Sequence, residues 1–299
     1  GLFLRIHMFS LLVLGTPPTT VTIAPGVEMP LLNMGVVRNH SVWLSLGGRG
    51  LDTALTYGER DQEDVGRAVR ESGLDRSEVF VTTKVPCCPS AIFCTNYDPG
   101  VLPQCRAEHN VTKDVEDTLS ALGLAYADLL LLHWPCDSLD ESVRAYKALE
   151  PLVAAGKARA IGVSNFNASA LSQLLPQVSI KPAINQCGFS VGVQHSSRAP
   201  PSLWGDDEPT VAACKAAGIT YSAYSPLGGV TKYDVLHDPV ATAIGAAHNR
   251  SSAQVALRYL TQRGIPLITA SDKEAHVASD LASFELTLSD GEMAALIAA

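Results

Sequence analysis

The sequence predicts a closed barrel of eight parallel β-strands alternating with α-helices, an α/β fold of the (β/α)₈ or TIM-barrel class. Short apolar runs recur eight times along the chain, and helix-like amphipathic segments lie between them. Strands that alternate with helices form parallel sheets covered on both faces, and eight such units in one domain favour closure into a barrel. No Gly-x-Gly-x-x-Gly opens a strand-to-helix turn, which argues against an open dinucleotide-binding sheet.

The predicted elements follow one another in a regular order. Strands are expected at residues 31–37, 50–54, 79–84, 127–133, 158–165, 183–187, 220–226 and 265–270. Helices are expected at residues 63–72, 111–122, 142–155, 168–175, 210–217 and 252–263. Glycines directly follow most of these helical segments, which is typical of residues that end a helix in the left-handed conformation.

The segments outside this alternation have their own interpretations. Residues 21–30 predict a β-hairpin with Pro25-Gly26 at its turn, and we expect it to close the bottom of the barrel. Residues 21–299 contain no linker and are interpreted as a single domain. Residues 1–20 are interpreted as an N-terminal arm or leader. Long inserted loops are expected at the C-terminal face, at residues 86–104 as a lid and at residues 191–207.

Charge and hydropathy exclude several classes of function. The 299 residues include 22 Lys and Arg against 30 Asp and Glu, a net charge of −8 with no basic block. We therefore expect neither a nucleic acid nor a membrane as partner. No apolar run approaches the roughly 20 residues that a membrane span needs. The apolar N-terminus is short and interrupted by Arg5 and His7, so we expect a cytoplasmic location and leave secretory or organellar targeting open. The protein is also expected to be a monomer.

The cysteines permit more than one interpretation. Four of the seven lie in one Pro-rich stretch, at Cys87, Cys88, Cys94 and Cys105. A disulfide-bearing loop, a metal site and a reduced loop all remain open. The spacing matches no common zinc pattern and includes no His, so no metal site is predicted.

Polar residues end several of the predicted strands. Asp52 and Tyr57 follow the second strand, Lys84 ends the third and His133 ends the fourth. In a (β/α)₈ barrel the chemistry gathers at the C-terminal ends of the strands. Burying a Lys or His side chain at the end of a strand costs free energy unless a hydrogen bond or ion pair satisfies it. A single residue of this kind usually has a structural role. Four such groups at one barrel mouth predict a catalytic cluster.

These four residue types suit proton transfer. The pKa of tyrosine is ordinarily near 10, too high for ready proton exchange at neutral pH. A nearby lysine ammonium stabilises the phenolate, and a carboxylate holds the lysine in place. A histidine can donate a hydrogen bond to a substrate oxygen. We therefore expect Tyr57 to exchange the proton, Lys84 and Asp52 to adjust its acidity, and His133 to orient a carbonyl group.

The chain resembles the aldo-keto reductase family over nearly its whole length. The residues that carry the resemblance are GVEMP, LDTAxxY, TTK, LLLLHWP, IGVSNF, AINQ, AYSPLG and AQVALRY, in the family's order. Each motif alone is weak, but the ordered set is highly specific. The resemblance implies a (β/α)₈ barrel that binds NADP(H) without a Rossmann motif. It also implies hydride transfer that reduces small aldehydes and ketones to alcohols, with Tyr57 as general acid.

The resemblance also assigns residues by position. The catalytic tetrad falls on Asp52, Tyr57, Lys84 and His133, all intact. Ser164, Asn165 and Gln186 match the residues that bind the nicotinamide carboxamide, and Tyr224 matches the ring that stacks on the nicotinamide. The remaining expected contacts are Ser225 and Leu227 beside the pyrophosphate, Ser271 and His276 at the adenosine end, and Val37 and Trp134 in the substrate pocket.

The chain departs from the family pattern where the adenosine 2′-phosphate should bind. Ala270 stands in place of the usual Lys, His276 replaces an Arg and Asp280 replaces an Asn. A mostly neutral His does not reproduce the bidentate grip of Arg on a phosphate. We therefore expect a reduced preference for NADPH, with either use of both cofactors or a preference for NADH. Lys273 could compensate from a shifted loop.

Two other functions remain in competition with a reductase. A non-catalytic barrel that binds the cofactor as a redox sensor or scaffold could keep the same four residues. A (β/α)₈ hydrolase or lyase using Asp52 and Lys84 is a third possibility, but it does not account for Ser164, Asn165 and Gln186 together. Turnover with an activated carbonyl separates the enzyme from the scaffold.

Overall fold

The computed structural model describes residues 19–36, 39–87, 110–193, 205–229 and 233–299. Several sequence predictions therefore lie outside the described residues: those for Val37 in the substrate pocket, for Cys88, Cys94 and Cys105, for the N-terminal arm up to residue 18, and for most of both inserted loops. Within the described residues, no helix is long and apolar enough to cross a membrane.

Eight parallel strands form a closed barrel, which confirms the predicted fold class. In spatial order they run β10-β3-β4-β5-β6-β7-β8-β9, so that the last strand pairs with the first. The strands of the barrel are β3 Leu32–Met34, β4 Gly50–Asp52, β5 Phe80–Val85, β6 Ala127–Leu132, β7 Ala158–Ser164, β8 Ile184–Gly188, β9 Thr220–Tyr224 and β10 Leu267–Thr269. Six of the eight predicted strands are longer than these ladders, because several polar residues expected at strand ends lie just beyond the last paired residue.

Ten α-helices surround the barrel within the described residues. They are α1 His40–Ser45, α2 Glu59–Glu71, α3 Val111–Leu122, α4 Leu139–Ala154, α5 Ala168–Leu174, α6 Glu208–Ala217, α7 Pro239–His248, α8 Ser252–Gln262, α9 Glu274–Leu281 and α10 Asp290–Ala298. The six predicted helices correspond to α2 to α6 and to α8. Helices α1, α7, α9 and α10 were not predicted from the sequence.

Local signals fix several helix ends. The Asn110 side chain accepts a hydrogen bond from the Lys113 backbone N–H at the start of α3, and Ser138 begins α4 with a reciprocal capping box. At the other ends of α3 and α6, Gly123 and Gly218 adopt φ angles of 62° and 64°. A Cβ atom disfavours this left-handed conformation, so glycine ends these helices at little cost.

The N-terminal hairpin packs against the barrel interior, as the sequence predicted. It consists of β1 Thr20–Ala24 and β2 Val27–Pro30. Ile23, Val27 and Met29 form one buried cluster with the strand residues Phe80, Leu129, Leu131, Ala160, Ala183 and Ile184. The other side chains of β6, Leu130 and Leu132, belong to the main core between barrel and helices. This alternation along one strand is the two-residue period of a β-strand with both faces buried.

Candidate active site

The ends of β4, β5 and β6 bring the four predicted catalytic residues together. Asp52 is the last residue of β4, Tyr57 ends a short 3₁₀ helix (Leu55–Tyr57) that follows it, Lys84 lies near the end of β5, and His133 follows β6. Neighbouring parallel strands end at the same rim, so these side chains from distant parts of the sequence meet there. Asp52, Tyr57 and His133 line one cavity of about 460 Å³.

Lys84 is the centre of this group. Its side chain is only 1% exposed, and its ammonium group forms an ion pair with Asp52. The Nζ atom also donates hydrogen bonds to the backbone oxygen of Thr53 at 3.1 Å and to the hydroxyl of Tyr57 at 3.4 Å. Burial by itself lowers the pKa of Lys84, but Asp52 and Tyr57 outweigh this effect and raise the pKa above its usual value. Lys84 is therefore a fixed cation beside the phenol.

Asp52 is held from its other side by Gln186. The Gln186 amide donates from Nε2 to the second carboxylate oxygen of Asp52 at 2.9 Å. Both oxygens of a buried carboxylate are thereby satisfied, which offsets the cost of removing the charge from water. The resemblance implied that Gln186 binds the carboxamide of the cofactor. Its contact with Asp52, across 134 residues of sequence, was not expected.

Tyr57 and His133 face the same region of the cavity. Their rings meet edge to face with centroids 5.6 Å apart and an interplanar angle of 80°. Tyr57 is 36% exposed, in contrast to the buried Lys84 and His133 around it. Tyr57 is thus the most exposed of the four side chains, while the buried Lys84 ammonium contacts its hydroxyl oxygen.

His133 is uncharged at neutral pH. Burial is the main cause, and the positive charge of Lys84 adds to it, so the pKa of His133 lies well below its ordinary value of 6.5. Its Nδ1 atom lies 3.1 Å from the hydroxyl oxygen of Thr56. A neutral imidazole has one N–H donor and one acceptor nitrogen. His133 can therefore donate a single hydrogen bond without bringing a second positive charge into the site.

The predicted nicotinamide-binding residues line the same cavity and are linked to one another. Asn165 donates from Nδ2 to the His133 backbone oxygen at 3.0 Å and to Ser164 Oγ at 2.9 Å. Its Oδ1 atom accepts the Tyr224 hydroxyl hydrogen at 2.7 Å. Asn165 and Ser225 adopt positive φ angles of 64° and 54°, a conformation that is uncommon for residues other than glycine. Such backbone conformations concentrate at functional sites.

The cavity is suited to a nicotinamide group. Ser164, Asn165 and Gln186 provide amide and hydroxyl groups of the kind that bind a carboxamide, and Tyr224 adds an aromatic ring for stacking. Trp134 lines the cavity next to His133, with ring centroids 5.8 Å apart, and its role in substrate binding stays a prediction. The sequence interpretation missed further lining residues from β3, β9 and β10 and the loops that follow them: Gly35, Val36, Pro226, Gly229, Ile268 and Thr269.

The residues predicted at the adenosine end do not all line this cavity. Ala270 lines the cavity, whereas Ser271 and His276 are not among its lining residues. His276 is exposed on α9, and Asp280 of the same helix is buried and accepts a hydrogen bond from Thr269 at 2.8 Å. Burial raises the pKa of Asp280, although the Thr269 hydrogen bond opposes this shift. The assignment of Ser271 and His276 to cofactor binding stays a prediction.

A disulfide joins two of the catalytic strand exits. Cys87 follows Lys84 by three residues, Cys136 follows His133 by three residues, and the two are bonded with Cα atoms 5.3 Å apart. Cys87 belongs to the predicted cysteine-rich stretch, but its partner lies outside that stretch. Cys187 and Cys214 are buried free thiols. The described residues contain no group of three or more His, Cys, Asp or Glu side chains that could hold a metal ion.

Comparison with known proteins gives the family. The family model for the aldo/keto reductase family matches residues 40–299. This chain belongs to that family. It is 35% identical over 289 residues to the morphine 6-dehydrogenase of Pseudomonas putida, covering 91% of this chain and 88% of that protein. It is also 35% identical over 283 residues to the glyoxal reductase of Bacillus subtilis, covering 92% of this chain and 90% of that protein.

A solved structure agrees with the family assignment. An aldo/keto reductase from Brucella melitensis superimposes with a TM-score of 0.76 at 27% identity, covering 93% of this chain and 97% of that one. The protein is therefore an NAD(P)H-dependent oxidoreductase that reduces small aldehydes and ketones, as the resemblance implied.

Proposed function

We propose that Tyr57 is the general acid of this carbonyl reduction, with Lys84, Asp52 and His133 as its supporting residues. The observation that carries the proposal is the contact of one buried ammonium, Lys84 Nζ, with both the Asp52 carboxylate and the Tyr57 hydroxyl. A cation at this position stabilises a phenolate relative to the phenol. The phenol can then give up its proton as negative charge develops on a substrate oxygen.

The proposed steps follow from the positions of these groups. The substrate carbonyl lies between Tyr57 and His133, where a hydrogen bond from His133 orients its oxygen. Ser164, Asn165, Gln186 and Tyr224 would hold a reduced nicotinamide beside this position, and the hydride for the new C–H bond would come from it. Tyr57 transfers its proton to the oxygen, which yields the alcohol and a phenolate held by Lys84. Because Tyr57 is 36% exposed, water can return the proton.

The experiment measures oxidation of NADPH and NADH with 4-nitrobenzaldehyde by wild-type protein and two variants. Tyr57→Phe removes the proton donor, and we expect kcat to fall by about 10²- to 10⁴-fold. Tyr126→Phe is the matched control, because the Tyr126 ring stacks under Arg76, remote from the cavity lining. Unchanged turnover in Tyr57→Phe contradicts the proposal. Tight cofactor binding without wild-type turnover favours a sensor or scaffold.

We further propose that the preference for NADPH over NADH is weak. Support comes from Ala270 and His276, which replace two cations that would hold a 2′-phosphate, and from the buried Asp280 on the same helix. Each charge-assisted hydrogen bond that is lost weakens binding by about tenfold or more. A panel of aldehydes and ketones identifies which small carbonyl compounds this enzyme prefers.

Fluorescence titration with both reduced cofactors tests this preference. We expect dissociation constants within about tenfold of each other in the wild type. The double variant Ala270→Lys/His276→Arg should tighten NADPH binding by about tenfold or more and leave NADH binding unchanged. A large NADPH advantage in the wild type contradicts the proposal.

The proposed unit of activity is the monomer. All residues of the proposed catalytic group come from one chain and meet at one barrel rim. Analytical ultracentrifugation together with activity across a range of protein concentrations tests this point: a specific activity that falls on dilution contradicts a monomeric enzyme.

A further inference from the structure

We propose that Thr56 is a positioning residue that fixes His133 in the neutral tautomer with its proton on Nε2. The inference rests on the proposed function and deepens it, because it explains how His133 presents a donor to the substrate oxygen. Thr56 was not among the residues that the sequence motifs singled out. It lies directly before Tyr57 in the same 3₁₀ helix, so one short turn positions both side chains.

The contact itself is buried and well defined. Thr56 Oγ1 lies 3.1 Å from His133 Nδ1, between residues 77 positions apart in the sequence. Thr56 is 3% exposed and His133 is 6% exposed. Water has little access to the Thr56 hydroxyl, and this group therefore depends on a protein partner.

The direction of the hydrogen bond follows from counting donors and acceptors. The hydroxyl hydrogen of Thr56 needs an acceptor, and among the described residues His133 Nδ1 is the side-chain or backbone atom that lies within hydrogen-bonding distance. If Nδ1 carried a proton instead, it would donate to Thr56 and leave the buried hydroxyl hydrogen without an acceptor, which is unfavourable. The arrangement that satisfies both groups has Thr56 donating to an unprotonated Nδ1.

This arrangement determines what the other ring nitrogen can do. Burial and the charge of Lys84 keep His133 neutral, so a ring with unprotonated Nδ1 carries its one proton on Nε2. An Nε2–H group donates to a carbonyl oxygen, and its donation strengthens as negative charge develops there. The opposite tautomer would present a lone pair to that oxygen and repel it. Thr56 thus acts on the reaction through His133.

The first measurement compares steady-state rates of three variants. Thr56→Val keeps the side-chain shape and removes the hydroxyl, and we expect kcat to fall by about threefold to tenfold with little change in KM. Thr56→Ser retains the hydroxyl and should recover most of the rate. Thr261→Val is the matched control, because Thr261 is also 3% exposed and its hydroxyl bonds only within α8.

The second measurement reads the tautomer directly by ¹⁵N NMR of histidine-labelled protein. The His133→Gln spectrum assigns the His133 signals among the eight histidines. We expect an Nε2–H tautomer in the wild type and in Thr56→Ser, and a mixture in Thr56→Val. A wild-type Nδ1–H tautomer, or an unchanged tautomer in Thr56→Val, overturns the proposal, whatever happens to the rate. If Thr56→Val does not fold, the wild-type spectrum decides.

The two readouts separate this inference from the proposed function. A tautomer that depends on Thr56, together with turnover that does not depend on Tyr57, supports the positioning role and rejects the proposed acid. Turnover that depends on Tyr57, together with a tautomer that does not depend on Thr56, supports Tyr57 as the acid and rejects the positioning role of Thr56.

Discussion

Two buried ion groups lie at opposite ends of the neighbouring strands β4 to β6. One connects backbone segments, and the other contacts a side chain in the cavity. At the N-terminal end, Asp128 of β6 is fully buried, and its two carboxylate oxygens accept from Arg76 and Arg159, each at 2.7 Å. At the C-terminal end, Asp52 pairs with Lys84 of β5. Both groups satisfy a buried carboxylate with cations from neighbouring elements.

The difference lies in what the cations contact next. Arg76 also donates to the Tyr126 backbone oxygen at 3.0 Å, and Arg159 donates to the Gly26 backbone oxygen in the hairpin turn at 3.0 Å. These contacts connect backbone segments. Lys84 instead contacts the hydroxyl of Tyr57, which reaches the cavity. A buried ion group therefore becomes functional where one of its hydrogen bonds ends on a titratable side chain open to a ligand.

The largest expected effect is that of Lys84→Met on catalysis. Without the ammonium the Tyr57 phenolate loses its stabilising charge, and we expect kcat to fall by about 10²- to 10⁴-fold. The variant should also lose about 3–5 kcal/mol of unfolding free energy, because Asp52 stays buried without its cation. The double variant Asp52→Asn/Lys84→Met should regain much of the stability but none of the activity. Recovery of activity in the double variant would show that the ion pair has a structural role only.

The next effect is that of Asp128→Asn at the opposite end. Two arginines then face a neutral side chain, and we expect unfolding free energy from urea titration to fall by about 3–5 kcal/mol. The kcat of the folded fraction should equal that of the wild type, because this group lies at the end of the barrel away from the cavity. A large loss of kcat in fully folded Asp128→Asn would show that the Asp128 ion group also affects catalysis, which contradicts the distinction between a structural and a catalytic group.

A smaller effect is expected for the disulfide at the catalytic end. The double variant Cys87→Ser/Cys136→Ser opens a loop across a sequence separation of 49 residues, and we expect it to lose about 2–4 kcal/mol of stability. Because the bond joins the exits that carry Lys84 and His133, kcat should also fall, by less than about tenfold. Reductant should reproduce both changes in the wild type and alter neither value in the variant.

The disulfide also bears on the compartment of the protein. Stable disulfides are typical of oxidising compartments and uncommon in the cytoplasm of mesophiles. The predicted cytoplasmic location therefore stays a prediction, and the redox state of Cys87 in extracts prepared with a thiol-blocking reagent tests it.

The smallest effect is a dependence of stability on pH at the catalytic end. Burial lowers the pKa of His40 and, more strongly, that of His133 below the ordinary value of 6.5. As the pH falls through 6.5, these two histidines become protonated in the unfolded chain but stay neutral in the folded protein. The free energy of unfolding therefore decreases. We expect a loss of about 1 kcal/mol per histidine at one pH unit below 6.5.

The measurement compares urea unfolding between pH 7 and pH 5.5 in the wild type and in His133→Gln. The variant should lose about half of the pH dependence. Burial raises the pKa values of Asp61 and Asp280, which act in the opposite direction at lower pH, so the range stops above about pH 5. An equal slope in both proteins would show that His133 is not kept neutral by the fold.

The sequence predicted the elements that depend on local pattern. The eight barrel strands, the hairpin and six of the ten helices in the described part of the chain were found because apolar periodicity, caps and turns are read over a few residues. The four catalytic candidates were found because each follows an apolar run that ends at the barrel rim. Helices α1, α7, α9 and α10 were not predicted from these patterns.

Contacts between distant residues could not be predicted in this way. Thr56 meets His133 across 77 positions and Gln186 meets Asp52 across 134. Thr56 and Gln186 have no sequence pattern that marks these contacts. They meet His133 and Asp52 only because the strands of the barrel bring them together. The partner of Cys87 was missed for the same reason, because Cys136 belongs to the next strand exit and not to the cysteine-rich stretch.

The sequence by itself determined the barrel class, the family and the identity of the groups that can exchange a proton, because residue type and spacing fix these. Only the tertiary structure decided which oxygen of Asp52 binds Lys84 and which binds Gln186, that the Tyr57 hydroxyl is within reach of the ammonium, and that His133 is neutral. The physical reason is that hydrogen-bond partners and desolvation depend on the packing of side chains from different strands, which closure of the barrel brings together.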